Sequence, residues 1–558
     1  MSSNSIYHFC DFVTAPRISS AFEAAMQPWS TGVAVFWTLC ATAVLWILNK
    51  RRQSLKRRKD LPLPPGPKGL PIIGNLLQIP VEHPWLVYHD WKKEHGECLF
   101  FFPSYDSSKA LLSLHLLGDM IYLEAMGKGI LVLNSLDLIE QLFVKRATNY
   151  SDRTWSPVTE LMRTGWSFSL MNYGQEWRNR RRLFHRFFYR TENHHSVIEE
   201  ETLGFLRKLV DKPREFREQV RTCLGIIIMR LAYGEADATY NKNLIHAADS
   251  VVLGFLEYSS PGRLLVNTIP LLRFIPSWFP GASWKAKLEQ LADMTDMLHN
   301  KPFEDAKARV AKTGGRVGSA EHGISLATQA IQELPDEGDP DREYQEALAR
   351  DVAGQAYTAG ADTTASSAFA LALALAMHPQ VQSKAQAEID AAVGSQRLPA
   401  FSDLGDLPYV QAIVKEVSRW HTSAPMSLPH LSTKDDVFNG YFIPAKTVVL
   451  PNTWAVLHDP NIYPDPFEFK PERFLTQDGK IDQGVPDPEI AAFGYGRRIC
   501  PGRQLSTDTF TLLTARLLAC FNVQPALDDD GNPKPLKYEV TSAFISWVSF
   551  FGFLVLCS

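Results

Sequence analysis

The chain lacks a surplus of either charge: 57 Lys and Arg stand against 61 Asp and Glu, a formal net charge of -4 over 558 residues. That balance argues against a nucleic-acid partner, which needs a basic surface. Cysteine is scarce. The seven residues are odd in number, scattered, and form no CxxC or CxxxC pair. This suits a reducing compartment and speaks against a disulfide framework or a structural zinc site. No GxGxxG run, GxxxxGK[ST] loop or internal repeat occurs, so a fused flavin or nicotinamide domain is not expected. What is present is ordinary: 45% apolar and 21% charged residues, enough for a large core.

Charge is also missing locally. Residues 29–48, Trp29 to Leu48, carry none and are mostly apolar, about the length that crosses a bilayer as a helix. Lys50, Arg51, Arg52, Lys56, Arg57, Arg58 and Lys59 follow, whereas Arg17 is the one basic residue upstream. The positive-inside rule then puts residues 1–28 in the lumen and the rest in the cytosol. The long apolar run, and its basic cluster lying after it, favour a retained single-pass anchor over a cleaved signal. Residues 49–79 form a basic, proline-rich linker whose Leu61-Pro62-Leu63-Pro64-Pro65-Gly66-Pro67 run excludes helix and makes a semi-rigid spacer.

From residue 80 the pattern is mainly helical, with long stretches expected at about 196–235, 343–377 and 380–393 and after Arg503. Apolar runs from Met120 to Met126 and from Ile130 to Leu133, parted by Gly127-Lys128-Gly129, predict a hairpin. Three residue groups stand out. Phe493-Gly494-Tyr495-Gly496-Arg497-Arg498-Ile499-Cys500-Pro501-Gly502 sets one cysteine behind a glycine-rich, arginine-bearing loop. A thiolate there can bind iron, and glycines let the backbone approach a flat cofactor. Glu416 and Arg419 share a helix face, with Pro471-Glu472-Arg473-Phe474 downstream. Ala359-Gly360-Ala361-Asp362-Thr363-Thr364 interrupts a helical stretch with residues of poor propensity, which asks for a reason other than helix stability.

The Cys500 loop, with Phe493, Gly496, Arg498 and Gly502 at matching positions, resembles the haem-binding signature of the cytochrome P-450 family. Glu416, Arg419 and Arg473 resemble its ExxR and PERF elements, which make a buried charge network. The likeness is strongest to fungal microsomal members of the O-methylsterigmatocystin oxidoreductase type. It implies a mainly α fold with a small β portion, preceded by one transmembrane helix, with a haem-thiolate catalytic domain over 80–546. It implies haem b (iron protoporphyrin IX) with Cys500 as axial ligand, and Gly360, Asp362 and Thr363 as the oxygen groove, relay acid and hydroxyl. The Trp177-x-x-x-Arg181 pattern resembles a haem-propionate clamp, with Arg498 and His430 as further propionate partners. Phe493 and Gly502 complete the cofactor loop. Neighbouring backbone N–H groups and Arg charge are expected to lower the Cys500 pKa.

The activity implied is insertion of one atom of O2 into a lipophilic small molecule, in fungal secondary metabolism or xenobiotic oxidation. NADPH-derived electrons would come through a separate cytochrome P-450 reductase, with cytochrome b5 a further partner. The resemblance also implies an endoplasmic reticulum membrane location with the catalytic domain facing the cytosol. A haem-thiolate isomerase or dehydratase is the alternative, as is a non-functional mis-spliced product. The second arises because residues 97–118 intrude where relatives pass directly from helix to hairpin; a retained intron and a membrane-facing insertion both account for them. Residues 547–558 form an atypical tail in the place of a polar, proline-containing strand. Pocket-facing segments are expected around Ser156 to Met171, Ala424 to Leu428 and Ser542 to Phe544.

Overall fold

A computed structural model describes residues 56–95, 118–235, 237–259, 263–267, 269–312, 325–549 and 552–557, with residues 37, 38, 42 and 49. The expected anchor at 29–48 lies outside the described residues except for residues 37, 38 and 42, and the 97–118 segment except for Gly118. Two compact units divide the chain: residues 1–62 with 438–442, and residues 63–437 with 443–558. The second unit carries the Cys500 loop.

Its longer helices are α1 (Pro84–His95), α2 (Gln175–Phe188), α3 (His195–Asp211), α4 (Phe216–Tyr233), α5 (Ala238–Ser259), α6 (Ser283–Lys312), α7 (Arg342–Met377), α8 (Pro379–Ala392), α9 (Pro408–Trp420) and α10 (Arg503–Cys520), with short helices and turns between them. The single helical stretch expected over 196–235 is two helices, because Pro213 can neither donate to a continuing ladder nor fit its interior. At 36 residues α7 is ~54 Å long. Its alternating Ala and Leu from Ala370 to Ala376 are all buried, and it stops at His378, where Pro379 opens α8 at its first position. Among the described residues α7 alone is long and apolar enough to cross a membrane, and it is the helix around which the core packs.

Strands β1 (Met120–Ala125), β2 (Lys128–Leu133), β3 (Asp152–Arg153), β4 (His430–Leu431) and β5 (Val448–Pro451) form one sheet in the order β1-β2-β5-β4-β3. The hairpin turn is shorter than expected: Met126 and Gly127 both take positive φ, which matches the twist of a two-residue connection. The proline-rich segment is docked on β1, where Tyr122 donates its N–H to the Pro65 carbonyl at 2.7 Å. The tail is part of the body too. Strand β7 (Phe553–Cys557) pairs antiparallel with β6 (Phe521–Pro525), Val548 is buried, and Trp547 packs 5.6 Å from Phe369.

Behind the Cys500 loop sits a buried cluster of one carboxylate and two guanidiniums. Arg419 donates two bonds of 2.8 Å to Glu416, both side chains being 0% exposed. Arg473 approaches the same carboxylate at 3.1 Å. The excess positive charge is solvated by carbonyls of Leu457, Pro464, Pro466 and Glu468. Replacing Glu416 by Leu strands both guanidiniums and should cost at least about 3 kcal/mol, read as a large fall in the thermal unfolding midpoint. Arg186→Ala breaks only the exposed pair with Glu333 and should cost under about 1 kcal/mol.

Candidate functional site

A cavity of about 630 Å³ lies between α7 and the Cys500 loop. Its α7 wall is the face carrying Gln355, Ala356, Ala359, Gly360, Thr363, Thr364 and Ser367, the i, i+4 periodicity of one helix side. Phe493, Arg498, Cys500 and Gly502 form the loop side, and Trp177 and Arg181 come from α2. The loop is folded tightly. Gly494 and Gly496 take positive φ, a Cβ on Gly496 would come within 2.2 Å of the Phe143 carbonyl oxygen, and Cys500 donates its N–H to Phe493 at 2.8 Å.

Cys500 is half-buried and lines the cavity, immediately before the N-terminus of α10. Burial is the largest influence on its thiol and raises the pKa above the ordinary value. The Gly502 N–H, Arg181 and Arg503 oppose it, so the lowering expected from the sequence is present but outweighed. A cationic centre at the sulfur would reverse that balance.

Three arginines line the same cavity: Arg153, Arg181 and Arg498. Among the described residues none makes a carboxylate ion pair; all are held by backbone carbonyls. Arg498 donates to Ser151 (2.7 Å) and Met171 (2.6 Å), Arg181 to Ile499 (2.6 Å), and Arg153 to Leu428 (2.9 Å), Pro429 (3.1 Å) and Ser169 (3.0 Å). The Trp177 ring packs under the Arg498 guanidinium at 4.7 Å. Burial, then mutual repulsion, holds Arg153 well below the usual arginine range, and burial brings Arg498 down to about 10. Such a rim is a site for an anion that brings more than one negative charge. Two propionates on a flat macrocycle whose metal takes a thiolate satisfy both the rim and Cys500. The residues present therefore fit haem.

Two sequence-based assignments need correction. His430 does not line the cavity. Its ring is stacked on Phe143 at 3.9 Å, and its Nδ1 donates to the Tyr150 carbonyl at 2.6 Å. Arg153, its direct partner in the β3–β4 register, reaches the cavity instead. No motif in the sequence marked Arg153. Asp362 also faces elsewhere: it is about 100° round the helix from Thr363 and accepts from Arg221 at 3.0 Å. Arg221 is shared with Asp249 of α5 and lies 5.5 Å from the Trp547 ring. Thr363 does line the cavity, its hydroxyl donating to the Ala359 carbonyl at 3.1 Å. Gly360 lines it by its backbone, and an added Cβ would come 2.9 Å from the terminal methyl of Ile228 of α4. Phe168, Ser169, Ala424, Ser427 and Leu428 reach the cavity from the expected segments. Ser542 does not; its hydroxyl accepts from the His83 N–H at 2.5 Å.

Burial and the charge of Asp362 push the Asp249 carboxyl up to about 7, against the pull of Arg221. The unfolded carboxyl titrates near 3.9, so the folded state binds this proton more tightly. The group's contribution to stability is therefore present at low pH and is lost as pH rises from about 4 through about 7. Asp249→Asn should flatten that part of the profile, measured as urea midpoints at about pH 5 and about pH 7.5.

The family model for cytochrome P-450 matches residues 114–543. Cytochrome P-450 monooxygenase COX1 of Coprinopsis cinerea is 45% identical over 504 residues, covering 89% of this chain and 92% of that one. COX2 of the same fungus is 40% identical over 486 residues, 87% of each chain. Tryptamine 4-monooxygenase of Psilocybe cyanescens is 35% identical over 522 residues, 92% of this chain and 95% of that one. With a thiol facing a polar-edged helix across an arginine-rimmed cavity, the chain belongs to the cytochrome P-450 family and is a monooxygenase of it.

Proposed function

We propose that the chain inserts one oxygen atom from O2 into a lipophilic small molecule of fungal secondary metabolism, using haem held by Cys500. The observation that carries this is that Cys500 and Thr363 line one cavity whose rim arginines lack carboxylate partners among the described residues. When bound, haem supplies the oxidising chemistry. Arg153, Arg181 and Arg498 would bind its propionates, with Trp177 packed against the rim, and Cys500 would supply the thiolate. Thr363 presents a hydroxyl to the cavity and can hand on a proton there; Phe168 and Leu428 help exclude water. Asp362 can serve that hydroxyl only after leaving Arg221, so the ion pair is the resting position of the acid.

Electrons would come from NADPH through a separate reductase, with cytochrome b5 as a second donor. The endoplasmic reticulum membrane would hold the chain by residues 29–48, with the catalytic body on the cytosolic side. A cluster of exposed apolar side chains supports membrane contact: Leu265, Leu271, Phe274 and Trp278, the last 80% exposed.

The holoprotein should show the reduced, CO-bound absorption band of thiolate haem, and Cys500→Ser should abolish that band while leaving the far-ultraviolet circular dichroism unchanged. Thr363→Ala should keep the band but lower product per NADPH consumed by ~10²-fold, with the lost electrons recovered as hydrogen peroxide. An unchanged coupling ratio in Thr363→Ala would remove the hydroxyl from the proposed role.

A further inference from the structure

Gln355 stands on the cavity face of α7, one turn before Ala359, and is only 7% exposed. Its carboxamide has a defined orientation. Oε1 accepts from the Ser167 hydroxyl at 2.5 Å and faces the Ser169 backbone N–H at 3.4 Å. A backbone N–H can only donate, so the oxygen side of the amide is assigned without ambiguity. The Nε2 group is left with two hydrogens and no hydrogen-bond partner among the described residues, in a residue that lines the cavity. A donor at such a site costs stability unless an acceptor meets it.

The support around this amide is built from both sides. Ser167 also bonds the Ser169 hydroxyl at 2.7 Å, and Arg153 of the cavity rim donates to the Ser169 carbonyl at 3.0 Å. Next along the loop, Trp166 stacks on His299 at 4.4 Å and lies against Gly354, where an added Cβ would come within 3.1 Å of the ring. The loop is thereby seated on α7 beside Gln355, and a turned amide would set its Nε2 group against the Ser169 N–H. The rim arginines already serve one anion; Gln355 is neutral and presents a donor to whatever shares the cavity with the cofactor.

We infer that Gln355 is the specificity-determining hydrogen-bond donor for a substrate that already carries a carbonyl, ether or hydroxyl oxygen. This rests on the haem reading above and adds the chemical class of the substrate. Gln355 precedes Ala359 and Gly360 by about 6 to 8 Å of helix rise. The bound oxygen therefore sets how far along the molecule the oxidised carbon lies. A lipophilic hydrocarbon would leave the donor unmet, so the reaction supplying this substrate is one that leaves an oxygen function on an apolar skeleton.

The test uses the haem-loaded protein and matched probes: tetralin against α-tetralone, and a sesquiterpene hydrocarbon against its ketone. Dissociation constants come from the haem spin-state shift and, independently, from equilibrium dialysis. Wild type should bind each ketone at least about tenfold more tightly than its hydrocarbon. Gln355→Leu and Gln355→Met, which fill similar space without a hydrogen-bond donor, should bring that ratio to about one. The CO-bound band should stay intact in both. Equal binding of ketone and hydrocarbon by wild type overturns the inference, as does a preference that survives both substitutions. Loss of haem retention in the variants with the preference unchanged also overturns it, by assigning the donor to a propionate. Absence of the CO-bound band in wild type would instead defeat the haem reading itself.

Discussion

Glu416, shared by two arginines in a fully buried place, is the constraint on which the cofactor side of the molecule depends. One carboxylate cannot neutralise two guanidiniums, so the chain must bring backbone carbonyls to them. It does so by folding the Leu457–Glu468 segment around Arg419 and Arg473. Apart from Leu457, which ends the short helix Thr453–Leu457, those carbonyls belong to a proline-rich stretch without helix or strand, which has oxygens to spare because few of them are engaged in a ladder. The same residues therefore explain two things at once: why the stretch holds one conformation without helix or strand, and why buried charge is tolerated there.

The cavity rim uses the same device with an opposite outcome. Carbonyls of Ser151, Met171, Leu428, Pro429 and Ile499 orient three arginines but do not neutralise them. Orientation without neutralisation leaves a positive field directed into the cavity, suited to an anionic edge and poorly suited to an unaccompanied cation. On α7 the helix divides the labour by angle. Gln355, Ala359 and Thr363 face the cavity, while Asp362 sits in an ion pair on another side with Arg221, Asp249 and, beyond them, Trp547 of the tail.

Motif-bearing residues were legible in the sequence because each type has few uses at its spacing. Cys500 behind glycines and Trp177 with Arg181 are examples, and so is Glu416 with Arg419. What failed to be legible was direction. His430 and Arg153 are register partners, and which of them meets the cavity depends on how two short strands sit against Phe143, which no local pattern encodes. Asp362 and Thr363 are adjacent in sequence but a quarter-turn apart, and the rotation of α7 about its axis is decided by distant partners such as Ile228 and Arg221. Gln355 was invisible for the same reason: its free N–H2 exists only because a loop nearly 190 residues earlier occupies the oxygen. The tail shows the converse. Its composition looked foreign, yet Val555 and Val523 pair in register because an unpaired edge accepts any chain that can supply β geometry.

The three rim arginines have a consequence for the life of the polypeptide before it ever meets a substrate. Like charges held at close quarters by rigid carbonyls repel one another, and an anion that binds only the folded state raises its stability by mass action. Binding of the cofactor would thus also stabilise the fold, by relieving the repulsion among Arg153, Arg181 and Arg498.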